Sequence, residues 1–112
     1  MNLDLVERFC NRNFSQRVSA VDVVPHYDVD HELKGVCVTR IHVPRHLRGS
    51  GYGSHALDNL CIWADMYSIP LYLVPAPGDD MGLTFEQLLD WYGSRGWDRK
   101  EGGYFVRRPK EG

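Results

Sequence analysis

The segment from Val36 to Leu57, VCVTRIHVPRHLRGSGYGSHAL, decides the fold of this chain. It begins as an apolar, β-branched run typical of a strand, which Pro44 stops. It ends in residues with the spacing of an amphipathic helix. Between them, Gly49–Gly53 holds three glycines in five residues, directly after Arg48. The segment therefore predicts a strand, a sharp turn and the start of a helix in direct succession.

The chemistry of this turn favours an anionic ligand. Glycines let the backbone turn sharply and approach a ligand without interference from Cβ atoms. The first amides of a helix lack intrahelical partners, and the helix dipole favours negative charge there. A diphosphate fits such a site, with Arg48 offering a charged fork and Ser54 a hydroxyl. The alternative is a glycine-rich turn that only reverses the chain.

Two well-known phosphate motifs do not match this turn. A P-loop needs Gly-Lys followed by Ser or Thr, and the sequence contains no such tripeptide. A dinucleotide fingerprint needs G-x-G-x-x-G, but Ser54 occupies the position of its last glycine. Neither of these two motifs therefore accounts for the turn.

Periodicity and turn residues predict the other elements outward from this segment. The predicted elements are a helix near Leu3–Cys10, strands at Val18–Val24 and Leu33–Val43, a helix at Ser54–Tyr67, a strand at Ile69–Val74, a helix from Thr84 to Ser94, and a hairpin of Trp97–Arg99 with Tyr104–Arg107. Pro25 is expected to end the first strand, and a bulge is expected after Val38. This order predicts an α/β fold, more narrowly an α+β mixed sheet, in one domain spanning residues 1–112.

Composition excludes several classes of protein. The 112 residues carry 13 Lys and Arg against 15 Asp and Glu, a net charge of −2, so a nucleic-acid partner is not expected. Hydrophobic residues make up 43%, which excludes disorder. No apolar run is long enough to span a membrane, and the sequence has no amino-terminal signal core. A cytoplasmic location is expected.

The cysteine and histidine spacings predict no metal site. Cys10, Cys37 and Cys61 are far apart and form no C-x-x-C motif, so neither a zinc ribbon nor a redox dithiol is indicated. His42 and His46 are four residues apart, but Pro44 breaks any helix that would align them.

Two segments together resemble the GCN5-related N-acetyltransferase (GNAT) family. Val43–Leu57 is similar to that family's acyl-CoA signature, which is Arg or Gln, two residues, Gly, one residue, and Gly or Ala. Arg48, Gly51 and Gly53 occupy its defining positions. Trp91–Trp97, WYGSRGW, resembles the family's aromatic-Tyr-x-x-x-Gly-aromatic ending. The resemblance covers Leu33 to Arg107.

The resemblance implies an N-acetyltransferase that moves an acetyl group from acetyl-CoA to an amine by direct attack in a ternary complex. Tyr92 is implied as the acid that protonates the departing thiolate. Backbone groups of Ile41 and Val43 are implied to hold the pantetheine arm. The implied diphosphate-binding residues are Arg48, Gly49, Ser50, Gly51, Tyr52, Gly53 and Ser54.

The chain departs from the family at its amino-terminal side, where about 35 residues precede Val36. The expected fold is thus a GNAT-like domain trimmed at the amino terminus. The general base is open between Glu32, His42, Asp80 and a water chain, while Cys37 stands where histone-acetylating relatives carry a glutamate. Alternatives are an inactive CoA-binding or protein-interaction module, and an acceptor site that is open to a macromolecule or completed in a homodimer.

Overall fold

The computed structural model describes residues 1–12, 20–44, 46, 52–74 and 84–110. Within them lie three helices and five strands. Their bounds are α1 (Leu3–Cys10), β1 (Ala20–Tyr27), β2 (Leu33–His42), α2 (Tyr52–Tyr67), β3 (Leu71–Leu73), α3 (Phe85–Ser94), β4 (Asp98–Lys100) and β5 (Tyr104–Arg107). This order confirms the predicted succession of elements.

The strands form one mixed sheet in the order β1-β2-β3-β5-β4. Strands β2 and β3 run parallel, as expected where a helix crosses between them. The other three pairings are antiparallel. The chain is therefore an α+β protein with a mixed five-stranded sheet, as predicted.

Strand β1 does not end at Pro25, so that boundary prediction was wrong. Pro25 lies opposite Val36 in the middle of the β1–β2 pairing. The Val36 amide points away from β1 and donates to the Pro70 carbonyl at 3.0 Å. The two residues therefore form a non-hydrogen-bonded pair, and the Pro25 nitrogen faces outward from the edge strand. Proline costs no ladder hydrogen bond there, so the strand continues to Tyr27.

The bulge predicted after Val38 is confirmed. Val38 lies opposite Val23 and Arg40 lies opposite Asp22, which leaves Thr39 as the extra residue. The Thr39 hydroxyl donates to the Asp22 carbonyl at 3.1 Å. One extra residue resets the alternation, so Val36, Val38 and Ile41 all reach the core despite their uneven spacing.

The hydrophobic core lies between the described helices and one face of the sheet, which we call the helix-covered face. Strand residues Val36 and Leu71 are fully buried there. Burying each such side chain stabilises the fold by about 1.5–3 kcal/mol. The helical contributions come from Val6 and Phe9 of α1, from Ala56, Leu57, Leu60 and Ala64 of α2, and from Leu88 and Tyr92 of α3.

Local sequence features determine where α3 begins and where it ends. Thr84 and Gln87 form the predicted capping box, with the Thr84 amide donating to Gln87 Oε1 at 2.9 Å and the Gln87 amide donating to Thr84 Oγ1 at 3.2 Å. Gly96 follows the helix with a φ of +86°, a conformation that glycine adopts without steric cost. Both ends match the prediction because each depends only on residues close to it in sequence: the start on Thr84 and Gln87, and the end on Gly96.

The opposite face of the sheet, which we call the open face, carries the alternate strand residues. Val24, Cys37 and Tyr72 project there, and none of them is fully buried. The sequence predicts that the strand after α2 is covered on both faces. Instead β3 is short, Tyr72 is half-buried and Val74 is 69% exposed.

Candidate functional site

The two parallel strands part soon after they meet. Among the residues that the structure describes, β2 pairs with β3 only at Val36↔Leu71 and Cys37↔Tyr72. Strand β2 continues to His42, while β3 ends at Leu73. Within the described residues, the carboxyl half of β2 therefore has no strand partner on its β3 side, and we call this region the strand gap.

The peptide group of Ile41 is directed towards the strand gap. In a strand of L-residues, all residues with side chains on one face direct their N–H and C=O groups to the same lateral side. Val36 sends its amide towards β3. Ile41 is buried on the same face as Val36, so its peptide group points to the same side.

The remaining predicted cofactor residues follow this strand. The Val43 side chain is buried, with 4% exposed. Arg48, Gly49, Ser50 and Gly51 lie outside the described residues. Tyr52 and Gly53 form the start of α2, which begins two residues before the predicted Ser54, and Ser54 is half-buried. The described part of the predicted turn thus lies at the amino end of α2.

Tyr92 is a residue of α3 whose side chain lies in the core, between the helices and the helix-covered face of the sheet, and it is 5% exposed. Its ring packs against Trp97 and Phe105, each with a centroid distance of 5.7 Å, and against Trp91 at 5.0 Å. Burial raises the pKa of Tyr92 to about 12, because a phenolate loses solvation there. The residue therefore combines a packing role with a hydroxyl that keeps its proton at neutral pH.

A groove of about 630 Å³ opens on the open face of the sheet. Its lining is mostly apolar and aromatic and comes from β1, the β1–β2 turn, β2, β3 and the β4–β5 hairpin. The lining residues are His26, Tyr27, Asp28, Val29, Lys34, Cys37, Tyr72, Leu73, Val74, Gly102 and Tyr104. Since Cys37 and Tyr72 form the last β2–β3 pair, the groove reaches the point where the strands part.

His26 and Tyr72 stack inside this groove, with ring centroids 4.2 Å apart and planes inclined by 25°. They belong to β1 and β3, which lie on either side of β2. Gly35 lies directly opposite His26 on β2 and has no side chain to separate the two rings. A Cβ atom on Gly35 would lie 3.2 Å from the Tyr72 ring and 2.2 Å from the Pro70 carbonyl oxygen.

His26 was not a predicted site residue, because Pro25 was expected to end the first strand one residue before it. Alternation along β1 would have placed His26 on the same face as Val24 once the strand was allowed to continue. Its meeting with Tyr72 has no local signal, since the two residues are 46 positions apart in the chain (72 − 26).

The predicted base candidates lie in different environments. Glu32 is exposed and its carboxylate is 3.1 Å from Lys34 Nζ. His42 is half-buried, with Nδ1 3.4 Å from Arg40 Nη2. Asp80 lies outside the described residues. Cys37 lines the groove, but burial raises the pKa of its thiol and makes it a poor proton acceptor at neutral pH.

A second groove, of about 680 Å³, is polar and has fixed charges. Arg95 and Arg107 line it. Arg95 Nη1 lies 2.6 Å from Asp58 Oδ1, and Arg107 pairs with Asp65 at 2.8 Å. These guanidinium groups are already engaged with carboxylates, so this groove is the weaker candidate site.

Within the described ranges, no three or more His, Cys, Asp or Glu side chains gather in an arrangement that could hold a metal ion. None of the described helices combines the length and apolar character needed to cross a membrane.

Comparison with known proteins addresses the fold. No protein family's sequence profile matches this chain, and no curated protein sequence matches it. Among solved structures, the chain is similar to an acetyltransferase from Bacillus cereus, with a TM-score of 0.50 and 13% sequence identity. The similarity covers 91% of this chain and 82% of that chain. This likeness shows a shared fold, so the sheet and helices described above form an acetyltransferase-like fold.

Proposed function

We propose that this chain is an N-acetyltransferase related to the GNAT family, which moves an acetyl group from acetyl-CoA to an amine by direct attack in a ternary complex. The observation that carries the proposal is the parting of parallel strands β2 and β3 after Cys37 and Tyr72. The strand that borders this gap leads through the glycine-rich turn into α2.

The strand gap suits the pantetheine arm of acetyl-CoA. That arm is extended and carries two amide groups, so it can pair with a strand edge as an added strand does. The Ile41 peptide group points towards the gap, and Val43 follows at the same periodicity. Both side chains are buried in the core, so their proposed part in binding is made by backbone atoms.

The turn after β2 suits the diphosphate. The residues proposed to hold it are Arg48, Gly49, Ser50, Gly51, Tyr52, Gly53 and Ser54. Glycines allow close backbone approach, and the first amides of α2 and its dipole favour negative charge. The acidic net charge of the whole chain does not oppose this, since α2 has no acidic residue in its first turn.

In this proposal Tyr92 protonates the departing thiolate of CoA. Its raised pKa means that the hydroxyl still carries a proton when the thiolate forms. Its deep packing fixes the ring between Trp97 and Phe105, which favours a fixed donor position. The reaction needs no metal ion, because the amine nitrogen is itself the nucleophile once it has lost a proton.

Calorimetric titration with acetyl-CoA tests the proposal, comparing the unmodified protein with Gly51→Trp. We expect micromolar binding that Gly51→Trp abolishes, because a bulky side chain in the turn blocks the backbone approach to the diphosphate. Asp90→Trp, at an exposed position of α3, is the matched control and should bind normally. Absence of binding by a folded protein would make the turn structural and contradict the enzyme assignment.

Measuring the release of CoA thiol with a panel of amines then distinguishes an active transferase from an inactive domain that only binds CoA or a protein partner. Turnover supports the transferase. Retained binding with no turnover of any amine would favour the alternative, an inactive domain that binds CoA or a protein partner.

A further inference from the structure

We infer that the groove on the open face holds the acyl acceptor as an amine carried on an apolar, ring-sized group, and that His26 is the base that takes its proton. This inference rests on the proposed transferase function and names the substrate class and the base of that site. Neither follows from the glycine-rich turn or from Tyr92.

The groove is placed where an acceptor must approach the acyl group. Cys37 and Tyr72 line the groove and form the last pair before the strands part. A thioester held in the strand gap therefore lies next to the end of the groove that Cys37 and Tyr72 line. A nucleophile in the groove approaches the thioester from the open face of the sheet. Tyr92 lies on the other side of the sheet, in the core between the helices and the helix-covered face.

The lining selects for an apolar substituent. Tyr27 and Tyr104 are 46% and 37% exposed, and Val29 and Val74 are 93% and 69% exposed. Such exposed apolar side chains around one groove gain most from covering by an apolar ligand. Together with Tyr72, they present aromatic surfaces suited to a ring.

The charged residues of the groove are engaged with each other. Asp28 Oδ1 accepts the amides of Asp30 and Glu32 at 2.8 and 3.0 Å, and Asp28 Oδ2 lies 3.6 Å from Lys34 Nζ. Lys34 also pairs with Glu32 at 3.1 Å. Among the described residues, the lining thus contains no row of carboxylates for a polyamine.

His26 has the geometry of a fixed base. Its ring rises from edge strand β1 and stacks on Tyr72 across Gly35, which fixes the plane of the imidazole. Stacking engages the ring faces and leaves the nitrogen atoms on the ring edges to meet a polar group. An amine bound in the groove lies beside this edge, directly or through one water.

The other titratable groups that face the groove are poor proton acceptors. Cys37 and Lys34 both have raised pKa values, from burial of the thiol and from the Glu32 hydrogen bond of the ammonium, so both stay protonated. The pKa of Asp28 is lowered, mainly by its hydrogen bond with the Glu32 amide, which makes it a weak base. Tyr27, Tyr72 and Tyr104 contribute hydroxyl donors.

Among the described residues that line the groove, only His26 combines access with a neutral base form. Burial lowers its pKa, and the attraction of nearby Asp28 only partly opposes this. The imidazole is therefore neutral at pH 7 and offers one nitrogen lone pair.

The proposed reaction transfers the acetyl group to the amine and moves two protons. The ammonium form of the acceptor gives one proton to His26. The amine nitrogen then forms a bond to the thioester carbonyl carbon, and the carbon–sulfur bond breaks. The sulfur leaves with its electron pair and receives a proton from Tyr92, which regains one from the attacking nitrogen through solvent. The products are an amide, CoA thiol and a proton that His26 releases to water.

The test measures CoA release with 2-phenylethylamine and with spermidine, using the unmodified protein, His26→Gln and His31→Asn. His31 lies in the β1–β2 turn, outside the groove lining, at a φ of 61° that asparagine tolerates, so His31→Asn is the matched control. We expect kcat/KM for 2-phenylethylamine to exceed that for spermidine at least about tenfold. At pH 7, His26→Gln should lower kcat/KM about 10²–10³-fold, while His31→Asn stays unchanged.

The pH profile identifies the role of His26. With a base present, kcat/KM of the unmodified protein should be nearly flat between pH 6.5 and 8, because over this range His26 stays neutral and the acceptor stays an ammonium ion that the base can deprotonate. In His26→Gln, only the unprotonated amine reacts, so kcat/KM should rise about tenfold per pH unit at pH values below the amine pKa, which is about 10 for an alkyl amine. Calorimetry with acetyl-CoA checks that the variant is folded.

The possible results distinguish failure of this inference from failure of the proposed transferase function. Turnover that prefers spermidine, or parallel pH profiles of the unmodified protein and His26→Gln, would overturn the groove and base assignment while leaving the transferase intact. No acetyl-CoA binding and no turnover by the unmodified protein would overturn the transferase proposal and this inference with it.

Discussion

Arg107 and Asp65 form a two-point ion pair that ties strand β5 to helix α2. Arg107 Nη1 lies 2.8 Å from Asp65 Oδ1, and Nη2 lies 3.0 Å from Oδ2. The Arg107 side chain is only 7% exposed. Asp65 Oδ1 also accepts the Lys110 amide at 2.9 Å. One carboxylate thereby fixes the last strand, the helix and the segment that follows the strand.

Replacing Asp65 with asparagine should destabilise the fold. The change leaves the buried Arg107 charge without its counter-ion, and breaking such a pair costs about 2–4 kcal/mol when one partner keeps some solvent contact. Urea denaturation of Asp65→Asn should show this loss. Asp58→Asn is the control, because Asp58 is 57% exposed and its pair with Arg95 should contribute less than about 1 kcal/mol. Equal losses in the two variants would contradict the assigned importance of Asp65.

The same carboxylate should make stability depend on acid pH. The Arg107 hydrogen bond lowers the pKa of Asp65 below its ordinary value of 3.8 in the folded protein. A lowered folded pKa means that the unfolded chain binds the proton first as pH falls. The Asp65 contribution is therefore complete well above pH 4 and is lost as pH falls through the folded pKa. Urea midpoints between pH 3 and 6 should fall less steeply in Asp65→Asn than in the unmodified protein.

Gly35→Ala should destabilise the protein strongly. The new methyl group would lie 2.2 Å from the Pro70 carbonyl oxygen, a backbone atom that can move only if β2 and β3 separate. We expect a loss of at least about 2 kcal/mol in the free energy of unfolding. Gly93→Ala is the control, since a Cβ there meets nothing within 4 Å. It lies inside α3, where alanine should raise stability by about 0.5–1 kcal/mol. Thermal unfolding of both variants distinguishes opposite signs.

Tyr92→Phe should separate packing from chemistry. The ring keeps its contacts with Trp97 and Phe105, so the melting temperature should change by only a few degrees. Loss of the hydroxyl should lower kcat about 10²-fold or more while acetyl-CoA affinity changes little. A variant that keeps full kcat would remove Tyr92 from the acid role. A variant that loses only affinity would do the same.

Several parts of the fold could be read from the sequence because their causes are local. The α3 capping box depends on Thr84 and Gln87, three residues apart, and the helix ends where Gly96 permits a positive φ. The bulge after Val38 follows from the broken alternation of apolar residues in one strand. These features need no distant partner, so periodicity and residue chemistry suffice.

The ends of β1 and the environment of β3 could not be read in the same way. Pro25 continues a strand because β1 is an edge and its nitrogen faces outward, which depends on strand order. Tyr72 is half-buried because the open face of the sheet lacks a described helix over it, whereas its sequence neighbours predict full burial.

The sequence by itself determined that strand β2 is followed by helix α2, and it determined the order of elements around them, while the glycine-rich turn predicted between the two stays a prediction. Spacing along the chain contains that information. Only the tertiary structure decided that the described parts of β2 and β3 share just two residue pairs, and that His26 and Tyr72 meet above Gly35. Both depend on which strands become neighbours, a choice set by burial of the whole core rather than by any one segment.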